Sequence, residues 1–296
     1  MRTIAYDPSR TALYHPESGE TVLKAGAHNS DDLLCAEAAR LVYKRFESSP
    51  SAAQEIEQAL GSVGFDRIDF FDREGAQFFA AANPSRATAI VSFRGTTRGL
   101  GDILTDLKTW PKNWRAGGRV HAGFCDAFER HHADLSSWLA AHRERSIVTG
   151  HSLGGALATL AASVFKPARL VTFGTPRVGD REFARTLNDV DCLRYVDCCD
   201  IVTRLPPEVL GFRHCGKLRY IDRSGTIHID PTADLMKEDS RPARSEYFHD
   251  HALRPGAVKL RDLADHAPIN YIYPVLALDD LRPTRELPST IDPTLL

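Results

Sequence analysis

Ser146-Ile-Val-Thr-Gly-His-Ser-Leu-Gly-Gly-Ala-Leu-Ala-Thr-Leu-Ala-Ala-Ser-Val-Phe165 is the stretch on which the fold class turns. Ser146 to Thr149 is short and β-branched, which predicts a buried strand. Leu153 to Phe165 is apolar and alanine-rich, which predicts a buried helix. Between them Gly150-His151-Ser152-Leu153-Gly154 fits the pattern Gly-x-Ser-x-Gly. A serine at a sharp strand-to-helix turn sits in strained backbone geometry. Residues two before and two after it crowd the turn, so only glycine-sized side chains fit. The hydroxyl then projects clear of the sheet at the start of the helix. Five residues alone are a weak signal, because glycine is common. With a strand before and an apolar helix after, the pattern is specific, and Ser152 is the candidate nucleophile.

Working outward, Ser30-Asp31-Asp32 predicts the cap of a helix through Leu33, Leu34, Ala38, Leu41 and Val42, and Ser51 to Leu60 predicts a second. Strands are expected at 65–71, 77–82, 87–93, 170–173, 193–196 and 218–222, the last closed by a turn at Ser224-Gly225. One long helix is expected from Gly123 to Ala141, with Phe124, Phe128, Leu135, Trp138 and Leu139 on or near one face. Strands and helices alternating around the serine argue for an α/β fold with a central, mostly parallel sheet flanked by helices. Residues 1–285 are read as one domain. From about Arg282 the chain is rich in Pro, Thr and charge, and 286–296 is read as a loosely held tail.

Composition narrows the classes. With a net charge of −2 and no basic stripe, no nucleic-acid partner is expected. No run approaches the roughly 18 apolar residues of a membrane span. The first residues lack the apolar segment of a secretory signal, so the chain is expected to be cytoplasmic or exported by a route the sequence does not reveal. Cys35, Cys125, Cys192, Cys198, Cys199 and Cys215 include no Cys-x-x-Cys pair, so neither a metal site nor a dithiol redox motif is expected, and free thiols are favoured.

A serine hydroxyl needs a general base to become nucleophilic at neutral pH, and the base needs an orienting acid. In folds of this kind the acid and then the histidine follow the serine in the chain. Asp200 and Asp197 both follow the strand at 193–196, and Asp180 is a further carboxylate. His214, His228, His249, His251 and His266 all lie downstream. His249 and His251 flank Asp250 and read as a surface loop. Spacing alone leaves the acid and the base open.

The chain resembles the fungal-type, class 3 triacylglycerol lipases from about Ser92 to Tyr271. The resemblance rests on six ordered motifs: Ser92-Phe-Arg-Gly-Thr96, Val120-His-Ala-Gly-Phe124, Gly150-His-Ser-Leu-Gly-Gly155, Phe173-Gly-Thr-Pro-Arg-Val178, Asp200-Ile-Val-Thr-Arg-Leu-Pro-Pro207 and Asp265-His266. It implies an α/β-hydrolase fold, Asp200 as the acid, His266 as the base and a structural role for His121. It also implies Thr96 as an oxyanion-hole residue, with the N–H of Leu153 as the second donor. Chemistry supports such donors, because attack on an ester carbonyl places negative charge on its oxygen.

The resemblance further implies a short lid after the oxyanion strand, here within 97–114. Ile103, Leu104, Leu107 and Trp110 fall at helical spacing, Gly99 and Gly101 suit a hinge, and Asp106 matches a carboxylate that can brace the oxyanion residue. The activity implied is hydrolysis of carboxylic esters of lipids through an acyl-enzyme, as a triacylglycerol lipase or esterase. The alternatives are a phospholipase A1, an acyltransferase or thioesterase using the same residues, and an inert lipid-binding module. A lipid or small ester substrate and transient contact with a lipid interface are expected, and no cofactor. Acyl-chain length, head group, regioselectivity, lid motion and oligomeric state are not legible.

Overall fold

The computed structural model describes residues 4–27, 29–95, 110–142 and 145–281. Ten strands are labelled among them: β1 (Arg67–Arg73), β2 (Ala76–Asn83), β3 (Thr88–Phe93), β4 (Pro111–Asn113), β5 (Arg119–His121), β6 (Arg145–His151), β7 (Arg169–Phe173), β8 (Asp191–Asp197), β9 (Lys217–Ile221) and β10 (Ile227–Ile229). Eight of these form one sheet in the order β1-β2-β3-β6-β7-β8-β9-β10. From β3 to β9 neighbours run parallel, and the hairpins β1-β2-β3 and β9-β10 are antiparallel. The sheet is thus mostly parallel, with helices on both faces, as expected.

Both faces are buried because the central strands carry apolar side chains at successive positions rather than only at alternate ones. In β2, Phe78, Ala80 and Ala82 enter one core, and Phe79 and Ala81 the other. The first core is completed by the helices Leu153–Phe165 and Ala122–Glu129. The second is completed by the helices Asp31–Leu41 and Pro268–Asp280. Ser30 caps the former, its hydroxyl accepting from the Leu33 N–H, with Asp31 and Asp32 in the first turn, where the helix dipole favours negative charge.

Two expectations need correction. The long helix at 123–141 is two helices, Ala122–Glu129 and His132–Ala141. They are interrupted at His131, whose buried ring packs edge-on against Phe78 at 4.9 Å. Trp114, at the far end of the lid candidate, is a core residue. It is buried and its indole N–H donates to Ser163 Oγ at 2.8 Å. The six cysteines carry no disulfide. Residues 282–296 lie outside the described residues.

Candidate active site

Ser152 follows the last residue of β6 and precedes the first residue of the helix Leu153–Phe165, with φ 57° and ψ −128°. Positive φ is uncommon for a residue with a Cβ and marks the strained turn expected of the motif. The neighbouring glycines show what enforces it. A Cβ on Gly150 would come within 2.4 Å of the Gly154 backbone, and one on Gly154 within 2.1 Å of the Phe93 carbonyl oxygen. The Ser152 N–H donates to the Phe173 carbonyl at 3.0 Å, which ties the turn to β7.

The ends of two further elements meet this serine. His266 follows the short helix Arg261–Ala264, and its Nε2 lies 2.9 Å from Ser152 Oγ. Asp200 sits just after β8, and its Oδ2 lies 2.8 Å from His266 Nδ1. The network assigns the tautomer: Nδ1–H donates to the carboxylate, and Nε2 accepts from the hydroxyl. All three residues are buried, at 1 %, 3 % and 1 % exposure for Ser152, His266 and Asp200. That shields their interactions from water.

The competing carboxylates lie elsewhere. Asp197 ends β8 and accepts from the Cys198 N–H at 2.7 Å; burial, and then the charge of Asp265, holds its carboxyl well above the usual carboxylate range. Asp180 caps the helix Arg181–Arg185 by accepting from the Phe183 N–H at 2.9 Å. Of the other histidines, His214 donates to the Thr203 carbonyl and His228 meets Asp222. His249 and His251 lie on a single π-helical turn, Phe248–Ala252.

Three supports escaped sequence reasoning. Tyr271, on the helix after His266, donates to Asp200 Oδ2 at 2.5 Å and accepts from the Asp197 N–H at 3.1 Å. The Val202 N–H donates to the other oxygen of Asp200 at 2.9 Å, so both oxygens of the acid are held. His151, inside the serine motif, donates from Nε2 to the His266 carbonyl at 2.9 Å and accepts at Nδ1 from the Tyr43 hydroxyl at 3.0 Å. Its pKa lies well below the ordinary histidine value, because burial and then the neighbouring His266 disfavour its charged form.

Leu153 opens its helix, so its N–H is among the first-turn amides that lack an intrahelical acceptor. Thr96 lies outside the described residues, as do Ile103, Leu104, Leu107 and Asp106. The approach to Thr96 is anchored. A Cβ on Gly95 would meet the Tyr43 hydroxyl at 2.1 Å and the His151 carbonyl oxygen at 2.9 Å. Arg94 makes a two-pronged pair with Glu47 at 2.9 and 2.8 Å. Trp110 is described and is 85 % exposed. His121 is buried with its ring 4.2 Å from that of Phe124.

Residues 90–210 match the model of the family described as Lipase (class 3). Among the relatives, "Secreted mono- and diacylglycerol lipase 1" of Fusarium solani is 31 % identical over 185 residues, covering 56 % of this chain and 53 % of that protein. "Phospholipase A(1) DAD1, chloroplastic" of Arabidopsis thaliana is 32 % identical over 159 residues, covering 43 % and 36 %. In three dimensions the chain is similar to lipase II from Rhizopus niveus, with a TM-score of 0.59 and 27 % identity over 68 % of this chain and 83 % of that one. The fold is that of the α/β-hydrolases. The chain spans about half the length of the curated relatives it matches.

Proposed function

We propose that this chain, a member of the class 3 lipase family, is a serine hydrolase that cleaves carboxylic esters of lipids, acylglycerols foremost. One observation carries the reading: an unbroken run of hydrogen bonds from Ser152 Oγ through His266 to Asp200, anchored at a strained turn. His266 takes the Ser152 proton as the hydroxyl attacks the ester carbonyl. Asp200 holds the imidazole in the required tautomer and stabilises its cationic form. The N–H groups of Leu153 and Thr96 receive the developing oxyanion, where loss of one donor costs about 2.7–4 kcal/mol of transition-state stabilisation. His266 then protonates the departing alcohol, and water, activated by the same imidazole, hydrolyses the acyl-enzyme.

The lid reading rests on Ile103, Leu104, Leu107 and Trp110, and the exposure of Trp110 suits transient contact with a lipid interface. No helix among the described residues is long and apolar enough to cross a membrane. The word "secreted" in the Fusarium relative's name favours export.

p-Nitrophenyl esters of graded acyl length, assayed beside Ser152→Ala, test the proposal. Wild type releases nitrophenolate, the variant does not, and the chain-length profile reports groove depth. Equal release by both proteins would refute it. The Arabidopsis relative favours phospholipase A1 as the second reading, and lysolipid release from phosphatidylcholine vesicles exceeding acylglycerol hydrolysis would select it.

A further inference from the structure

Behind the catalytic carboxylate lies a cluster the hydrolytic chemistry does not use. Cys198 and Cys199 directly precede Asp200, and Asp265 directly precedes His266. The two thiols and one oxygen of Asp265 lie within 4.8 Å of one another, and all three residues are buried. The sulfurs are 3.6 Å apart. Cys198 Sγ also lies 3.1 Å from Asp239 Oδ2, and Met236 packs against the same pocket.

We propose that Cys198, Cys199 and Asp265, with Asp239 as a further carboxylate beside Cys198, form a binding site for a thiophilic divalent cation, for which Zn2+ is the natural probe. The sulfur spacing suits tetrahedral coordination. With Zn–S bonds of about 2.3 Å, sulfurs 3.6 Å apart subtend about 103° at the metal, near the ideal of about 109°. A disulfide would need them at about 2.05 Å. The pocket is also rich in carboxylates. Asp197, Asp239 and Asp265 crowd this pocket against the guanidinium of Arg261, 3.2 Å from Asp265, and that of Arg223, 3.7 Å from Asp239. Binding is a ligand exchange without redox: two S–H bonds break, two metal–sulfur bonds form, and two protons leave to solvent. The bound cation ties the turn carrying the acid to the turn carrying the base. Cys-x-x-Cys spacing could not reveal the site, because Asp239 and Asp265 reach the cysteines only through folding.

The test does not depend on ester hydrolysis. Protein stripped with a chelator and kept under a phosphine reductant is titrated with Co2+, then with competing Zn2+. One equivalent of Co2+ should bind, with a thiolate-to-cobalt charge-transfer band and tetrahedral visible absorption. Calorimetry in buffers of different ionisation enthalpy should report proton release, and Zn2+ should raise the thermal midpoint of wild type. Cys198→Ser should lose the band, and Asp239→Asn, at the more open edge of the pocket, should weaken binding at least tenfold. No binding, or binding without charge transfer, in wild type overturns the proposal, as does wild-type affinity in Cys198→Ser.

Discussion

Tyr271→Phe separates holding the catalytic acid from performing the chemistry. The ring is buried at 1 % exposure, packed edge-on to Phe173 and His151, and phenylalanine keeps that packing. Only the hydroxyl is lost, and with it the 2.5 Å bond to Asp200 Oδ2 and the acceptor of the Asp197 N–H. A hydrogen bond to a charged group contributes about 1.5–3 kcal/mol, and a buried amide left unpaired costs about 1–3 kcal/mol. The two share one atom, so their sum is an upper bound, and a loss of about 3 kcal/mol is expected. At about 2–4 °C per kcal/mol, the thermal midpoint should fall by about 6 °C or more. Turnover should suffer less. The bond exists before and during the reaction, so only its change matters, and Asp200 keeps Val202 on one oxygen and His266 on the other. A roughly three- to tenfold drop in kcat is expected, or about 0.7–1.4 kcal/mol of barrier. Asp200→Asn, which reverses the imidazole tautomer, should lower kcat by about 10⁴-fold. Differential scanning calorimetry and nitrophenyl ester kinetics on the three proteins decide the matter. A midpoint within about 1 °C of wild type would refute the bond, and a kcat loss matching Asp200→Asn would refute the holding role.

Three further perturbations probe the scaffold. His151 is held neutral in the folded protein, whereas the unfolded chain takes up its proton near pH 6.5. Its contribution is therefore full above that pH and is lost as pH falls below it, at up to about 1.4 kcal/mol per pH unit; urea unfolding from about pH 7 to 4.5 should show a flatter acid limb for His151→Gln, and coincident limbs would contradict the assignment. Gly154→Ala drives a Cβ to within 2.1 Å of the Phe93 carbonyl oxygen and should lower both activity and midpoint, whereas Gly61→Ala, with nothing within 4 Å, should leave activity intact and stabilise by about 0.5–1 kcal/mol. Arg40→Met strands the buried Glu37 carboxylate and frees the carbonyls of Pro16, Ser18 and Glu20; a loss of about 3–5 kcal/mol and faster proteolysis at Glu17 and Glu20 are expected, measured by urea denaturation and limited digestion with a glutamate-specific protease.

What could be read from the chain, and what could not, follows the range of the forces involved. The serine turn was legible because its constraint is local: Gly150 and Gly154 touch residues within the turn or on the adjacent strand. The choice between Asp197 and Asp200 was not legible from position, since both follow the same strand; it depends on whether each carboxylate faces the imidazole or the pocket behind it. The break at His131 was hidden because Phe124, Phe128, Leu135 and Trp138 keep a helical period across it, while the ring that His131 packs against there, Phe78, is a strand residue far upstream. Trp114 was drawn into the lid candidate by its apolar character, yet what fixes it is Ser163, on the far side of the serine turn in the chain. Tyr271 lies 71 residues beyond the carboxylate it holds, and no periodicity marks a residue for such a task. The same reasoning explains why the segment around the serine carried so much information. There β6, the turn and the helix each specify their neighbour, whereas the acid, the base and Tyr271 acquire their roles only when β8 and the helix Pro268–Asp280 are packed against one another. A change confined to that packing should therefore disturb the relation of Asp200 to His266 while leaving the strained turn at Ser152 intact.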